Sequence, residues 1–149
     1  MPKCIHFDEF RKRQIDALRF VHLGIFTKGK PMGHLSTHVL DTMNGCPAAG
    51  MAVELQRVSA GQVETIQAFT LNQDGRNDGG ALLDAAAMAA GHYRLVFSVA
   101  PYFRSRGVVL PDPPFLDDVP LDFGIADADG HYHVPLLVSP WAYSTYRGS

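Results

Sequence analysis

Short runs of alternating apolar and polar residues, each cut off by Gly, Asn, Asp or Pro, constrain this chain more than any other feature of it. HLSTHVLD from His34 to Asp41, MAVELQRV from Met51 to Val58, QVETIQAFTL from Gln62 to Leu71 and YRLVFSV from Tyr93 to Val99 all carry the period of two of a half-buried strand. Turn chemistry separates them: Asn44-Gly45-Cys46-Pro47, Ser59-Ala60-Gly61 and the long polar loop from Asn72 to Gly80. Further on, Val119 to Ala126 and Tyr132 to Val138 flank an Asp-Gly signal at Asp129 and Gly130, which predicts a hairpin between them. Ala142 to Arg147 adds a last short strand. Helix formers dominate only Ala81 to Ala90, where two or three turns capped by Asp78 and stopped by Gly91 are expected. Pro101 to Gly107 predicts one short helical turn, and the Pro-rich stretch from Pro111 to Pro120 a rigid connection. Seven or so strands with at most one short helix make this an all-β chain, an antiparallel β-sandwich.

Composition narrows the function by exclusion. With 149 residues, 46% of them hydrophobic and 19% charged, the chain is long enough for one domain with a proper core. A formal net charge of -2 provides no broad basic face for nucleic acid or an anionic membrane, so a small neutral or anionic ligand fits better. Cys4 and Cys46 follow no metal-ligand spacing and read as reduced thiols without a disulfide. No Walker loop, GxSxG elbow, CxxC pair or strand-linked GxGxxG occurs, which removes the common nucleotide enzymes and serine hydrolases.

Charge also marks a boundary. Residues 1–31 hold seven cations against three acids, whereas the remainder holds six arginines, no lysine and twelve acids. The shift falls near Pro31-Met32-Gly33, so residues 1–31 are expected to form a poorly ordered N-terminal extension and residues 32–149 the folded domain. IDALRFVHLGIF, from Ile15 to Phe26, is too interrupted by Asp16, Arg19 and His22 for a secretory signal and too short and polar for a membrane span. The chain ends in Arg-Gly-Ser rather than Ser-Lys-Leu, and the expectation is a cytoplasmic protein.

The candidate chemistry rests on histidines. Strand alternation puts Ser36, His38 and Leu40 on one face of the first strand, and His131 and His133 on one face of a later one, with Tyr132 turned away. Structural histidines, zinc ligands completed by His34 or His38, and water-activating bases all fit that pattern. Arg76 is the one cation of the Asn72–Gly80 loop. Tyr146-Arg147-Gly148-Ser149 brings a phenol, a guanidinium and a carboxylate to the end of the chain, a tail equipped to line a site.

Two segments carry a family resemblance. HVLDTMNGCPAAGMAV, from His38 to Val53, and YHVPLLVSPWAYSTYRGS, from Tyr132 to Ser149, resemble the two signatures of transthyretin-like proteins, in the expected order. The likeness extends over Met32 to Ser149, including DGR at Asp74 to Arg76, and leaves residues 1–31 unmatched. His38, Arg76, His133 and the terminal Tyr146 to Ser149 match the positions that distinguish the hydrolase branch of the family from its hormone carriers.

The resemblance implies a transthyretin-like (prealbumin-like) sandwich assembled as a homotetramer, a dimer of dimers, with sites in the channel between dimers. It implies hydrolysis of 5-hydroxyisourate to 2-oxo-4-hydroxy-4-carboxy-5-ureidoimidazoline in urate breakdown, without cofactor or metal. His38 and His133 would activate and orient water, and Arg76 would bind substrate oxygens and the charge developing on them. Tyr146 and Arg147 would close the pocket, Ser149 would fix the tail with its carboxylate, and His131 would stand beside the site. A carrier of small aromatic ligands in the same channel and a metal-dependent hydrolase are the alternatives.

Overall fold

The computed structural model describes residues 32–148, which lie in one compact unit. The expectations for residues 1–31, Cys4 among them, and for Ser149 lie outside the described residues.

Among the described residues eight strands and one helix follow in order: β1 (His34–Asp41), β2 (Cys46–Pro47), β3 (Ala52–Ser59), β4 (Gln62–Thr70), β5 (Gly91–Ser98), α1 (Val99–Ser105), β6 (Asp118–Ile125), β7 (His131–Val138) and β8 (Tyr143–Ser144). They form two four-stranded sheets, β2-β1-β7-β8 and β4-β3-β5-β6. The sequence alternation is the burial alternation. On β1, Leu35, Thr37, Val39 and Asp41 are buried while His34, Ser36, His38 and Leu40 are only partly covered. On β5, Tyr93, Leu95 and Phe97 are buried, and with Val99 they meet Leu35, Val39, Leu55 and Leu136 in the core between the sheets. Each such side chain contributes about 1.5–3 kcal/mol by leaving water.

Local chemistry sets the connections. Ser59 pairs with Gln62 across a two-residue turn in which Ala60 and Gly61 both take positive φ, 49° and 78°, the backbone twist a tight hairpin requires. Asp41 is fully buried, and its carboxylate accepts hydrogen bonds from the Asn44 backbone N–H (2.9 Å), the Asn44 amide (2.6 Å) and the Tyr102 hydroxyl (2.9 Å). One buried acid thereby closes the turn after β1 and ties it to α1. Burial and the Asp41 bond push the Tyr102 phenol well above its ordinary range.

The hairpin expected between Val119–Ala126 and Tyr132–Val138 does not form. β6 pairs only with β5 in one sheet, whereas β7 lies in the other between β1 and β8. The Asp-Gly turn is present, closed by the Gly130 N–H on the Asp127 carbonyl at 3.1 Å, but it carries the chain from sheet to sheet. Backbone N–H groups that a ladder would have used, at Ala126 and Asp127, donate instead to the Tyr132 hydroxyl, both at 3.1 Å. The run VPLLV, largely buried, needs the cover of a central strand, and β7 finds it in sheet one.

The sandwich is likewise not wholly antiparallel. β1 and β7 run parallel in register from His34 opposite His131 to Asp41 opposite Val138, and all other strand pairs are antiparallel. Nor is Ala81–Ala90 a helix. Leu82, Leu83 and Met88 are pulled into the core, and the segment bonds to the free edge of β1 through Leu35 N–H to Leu83 O (2.9 Å) and Leu82 N–H to Leu35 O (2.7 Å). A single turn remains, capped by the Asp84 carboxylate, which accepts from the Ala86 and Ala87 N–H groups at 3.0 Å. Among the described residues the helix is α1, overlapping the turn expected at Pro101–Gly107. Among the described residues no helix is long and apolar enough to cross a membrane.

Candidate active site

The outer face of the sheet β2-β1-β7-β8 collects the polar side chains that alternation leaves over. Parallel register sets Ser36 opposite His133 and His34 opposite His131, so residues ninety-seven apart in sequence become neighbours on one surface. His38, two residues along β1, lies opposite Pro135.

Arg76 reaches this face because its loop is docked on β1. Asn72 organises the turn: its side-chain oxygen accepts from the Asp74 and Arg76 N–H groups, both at 3.0 Å, and its N–H donates to the Arg76 carbonyl at 2.8 Å. The Gly75 carbonyl then accepts from the Val39 N–H at 3.0 Å, one residue from His38. Gly75 has φ of 70°, and a Cβ there would lie 2.5 Å from the Val39 carbonyl oxygen. Only glycine lets the loop sit so close. The result is Arg76 Nη2 at 3.4 Å from His38 Nδ1.

His133 is held on three sides. Its Nδ1 is 2.9 Å from Ser36 Oγ. Its backbone forms a two-bond bridge with the tail, Gly148 N–H to His133 O at 2.8 Å and His133 N–H to Gly148 O at 3.2 Å. Gly148 also packs on the ring, where a Cβ would lie 2.9 Å from Cδ2.

Both imidazoles are poised to be neutral. Burial, followed by the Arg76 charge and His133, lowers the His38 pKa; burial, followed by Arg76 and His34, lowers that of His133. For His38 a backbone hydrogen bond with Asp74 and the Asp74 charge work the other way, with less effect. Two neutral imidazoles beside an obligate cation can take a proton from water and stabilise negative charge at the same place. Beside them is an open depression lined by His34, Ser36, Arg76, Ala81 and Asp84.

Thus His38, Arg76 and His133, predicted from sequence, share one surface. The Arg147 guanidinium lies instead over the Tyr132 ring, 4.8 Å from its centroid, and Tyr146 is exposed. His131 is exposed and meets the His34 ring edge-on at 4.2 Å. Among the described residues no three His, Cys, Asp or Glu side chains are grouped so that they could hold one metal ion. Ser36 is not among the site residues expected from the sequence, and Gly75 and Gly148 appear there only inside the DGR and terminal motifs, with no role of their own. Ser36 shares its strand face with His38, but its partnership with His133 depends on the parallel register, which leaves no local sequence mark.

The sequence profile of the HIUase/Transthyretin family matches residues 35–148, nearly all of the described chain. The chain belongs to that family. The 5-hydroxyisourate hydrolase of Pseudomonas aeruginosa is 55% identical over 120 residues, covering 80% of this chain and 94% of that one. 5-Hydroxyisourate hydrolase 2 of Rhizobium meliloti is 57% identical over 117 residues, covering 78% and 97%. Among solved structures, Klebsiella pneumoniae 5-hydroxyisourate hydrolase is 34% identical with a TM-score of 0.65, covering 78% of this chain and 99% of that one. Sea bream transthyretin in complex with thyroxine is 27% identical with a TM-score of 0.67, covering 76% and 93%. The transthyretin-like sandwich expected from the sequence is therefore the fold observed.

Proposed function

We propose that this family member is an enzyme that hydrolyses 5-hydroxyisourate, and that His38, Arg76 and His133 carry the reaction. The observation that carries the proposal is the contact of Arg76 with His38 on the face that also holds His133. The substrate is a small, planar, electron-poor ring whose amide carbon is open to attack. A neutral imidazole takes a proton from water as the oxygen adds to that carbon. Arg76 stabilises the charge that develops on the carbonyl oxygen. The carbon–nitrogen bond then breaks, the imidazolium returns its proton to the departing ring nitrogen, and the product is the ureido carboxylate 2-oxo-4-hydroxy-4-carboxy-5-ureidoimidazoline.

Tyr146, Arg147 and Ser149 belong, in this proposal, to a substrate-binding tail; the pairing of Gly148 with His133 supports that reading, and Arg147 would leave the Tyr132 ring to reach the substrate. A homotetramer covers the site: Trp141, Tyr143 and Tyr146 are 58%, 46% and 58% exposed near the end of the chain, an apolar and aromatic surface that a second copy would bury. Residues 32–149 suffice for the activity, residues 1–31 are an appendage to it, and the protein works in the cytoplasm. Carriage of an aromatic ligand has less support, since the transthyretin is 27% identical and the Pseudomonas hydrolase 55%.

The test is the ultraviolet decay of freshly generated 5-hydroxyisourate, with and without protein and with a chelator present. Decay far faster than in buffer, unaffected by the chelator, is the expected result. Decay at the buffer rate would overturn the proposal, and loss of activity on chelation would replace it with metal-assisted hydrolysis.

A further inference from the structure

We infer that Ser36 is a positioning residue that fixes His133 as the tautomer with its proton on Nδ1, making His133 Nε2 the atom that accepts the proton from water. The inference rests on the hydrolase reading and divides the work between its two histidines.

The two rings have different partners. His38 Nδ1 faces Arg76 Nη2 at 3.4 Å, and a guanidinium only donates. That nitrogen of His38 must therefore present its lone pair to Arg76, and the proton of the neutral ring sits on Nε2. With its basic nitrogen turned to a cation, His38 is suited to hold Arg76 and to donate a hydrogen bond, not to receive a proton.

His133 faces a hydroxyl, which both donates and accepts. Ser36 Oγ, partly buried and 2.9 Å from His133 Nδ1, can accept from an Nδ1–H. This leaves Nε2 with a lone pair. When Nε2 takes the proton, the Nδ1–H to Oγ bond persists and gains strength because its donor becomes charged. In the opposite arrangement, with Ser36 donating to Nδ1, Nε2 would already hold a proton and the ring could accept another only by losing the bond. Gly148 against the ring and the backbone bridge restrict the remaining freedom of His133, so the hydroxyl is met in one orientation.

The experiment combines side-chain nitrogen–proton NMR of His133 with steady-state kinetics for the full chain, Ser36→Ala and Ser36→Thr. Expected in the full chain is the Nδ1–H tautomer at neutral pH. Ser36→Ala should shift the population toward Nε2–H and lower kcat about tenfold or more, a part of the ~10²–10⁴ that general-base catalysis supplies, with KM within about twofold. Ser36→Thr, which keeps the hydroxyl, should restore both. An Nε2–H tautomer in the unaltered protein, or an Ala variant with unchanged tautomer and kcat, would overturn the inference. If the protein proves inactive on 5-hydroxyisourate, the hydrolase reading fails, while the tautomer shift alone still decides whether Ser36 positions His133.

Discussion

Gly148 lies flat against the ring of His133, so near that a Cβ would come within 2.9 Å of Cδ2, 3.0 Å of Cβ and 3.2 Å of Cγ. Because the His133 Cβ is among the atoms met, rotating the ring away does not relieve the overlap, and Gly148→Ala must lift the tail or shift the strand. Displacements of about 1 Å at a reacting group cost up to ~10² in rate. The variant should lose turnover on that scale and melt several degrees lower while still folding, since the bridge is two hydrogen bonds of about 0.5–1.5 kcal/mol each. Parallel kinetics and thermal melts check this, and a variant with undiminished kcat would show that the tail does not hold His133.

Gly75 has the corresponding task for Arg76. Gly75→Ala adds about 1–2 kcal/mol of left-handed backbone strain to the clash with the Val39 carbonyl, and the loop should undock. The expected outcome is a loss of activity comparable to that of Arg76→Ala, with no further loss when the two are combined. Additive losses would mean that Gly75 acts by another route.

The pH dependence follows from the lowered pKa values of His38 and His133, caused first by burial and then by the Arg76 charge. Since the active form needs neutral imidazole, activity should be full at neutral pH, with its acid limb below the ordinary histidine value of about 6.5. Arg76→Ala removes one cause, so the limb of the residual activity should move up toward that value. Stability has the same sign: both groups bind protons more readily in the unfolded chain, so stability is full above about pH 6.5 and declines as pH falls through that value toward the lower folded ones. A rate profile with its acid limb above 6.5 would contradict the assignment.

Away from the site, Ala60 holds a φ of 49° in the β3–β4 hairpin, a conformation that Asn tolerates better. Ala60→Asn should stabilise the protein by about 1 kcal/mol without altering kcat, as thermal denaturation would register. A lower melting temperature would mean that the turn relaxes around Ala60.

Much of this was legible in the sequence for a physical reason. The period of two decides which side chains share a face, so the grouping of Tyr93, Leu95 and Phe97, of Ser36 with His38 and of His131 with His133 could be read directly; which face is buried came from the packing. Which strand lies beside which could not. The pairing of β7 with β1 rather than β6 is decided by where VPLLV finds cover, and no local signal records it; with it went the link from Ser36 to His133. The Ala81–Ala90 run misled in another way. Its helix propensity amounts to tenths of a kcal/mol per residue, and the burial of Leu82, Leu83 and Met88 together with the bonds to Leu35 outweighs it. Arg76 was readable as a lone loop cation, but its place beside His38 depends on the absent side chain of Gly75.

If His38, Arg76 and His133 act together on 5-hydroxyisourate, kcat/KM for His38→Ala, Arg76→Ala and His133→Ala, each confirmed as folded, should show it beside the unaltered protein. Each variant is predicted to fall by roughly two orders of magnitude or more, as removal of a general base or an electrostatic stabiliser does. Turnover close to that of the unaltered protein in all three would mean that these residues do not carry the reaction.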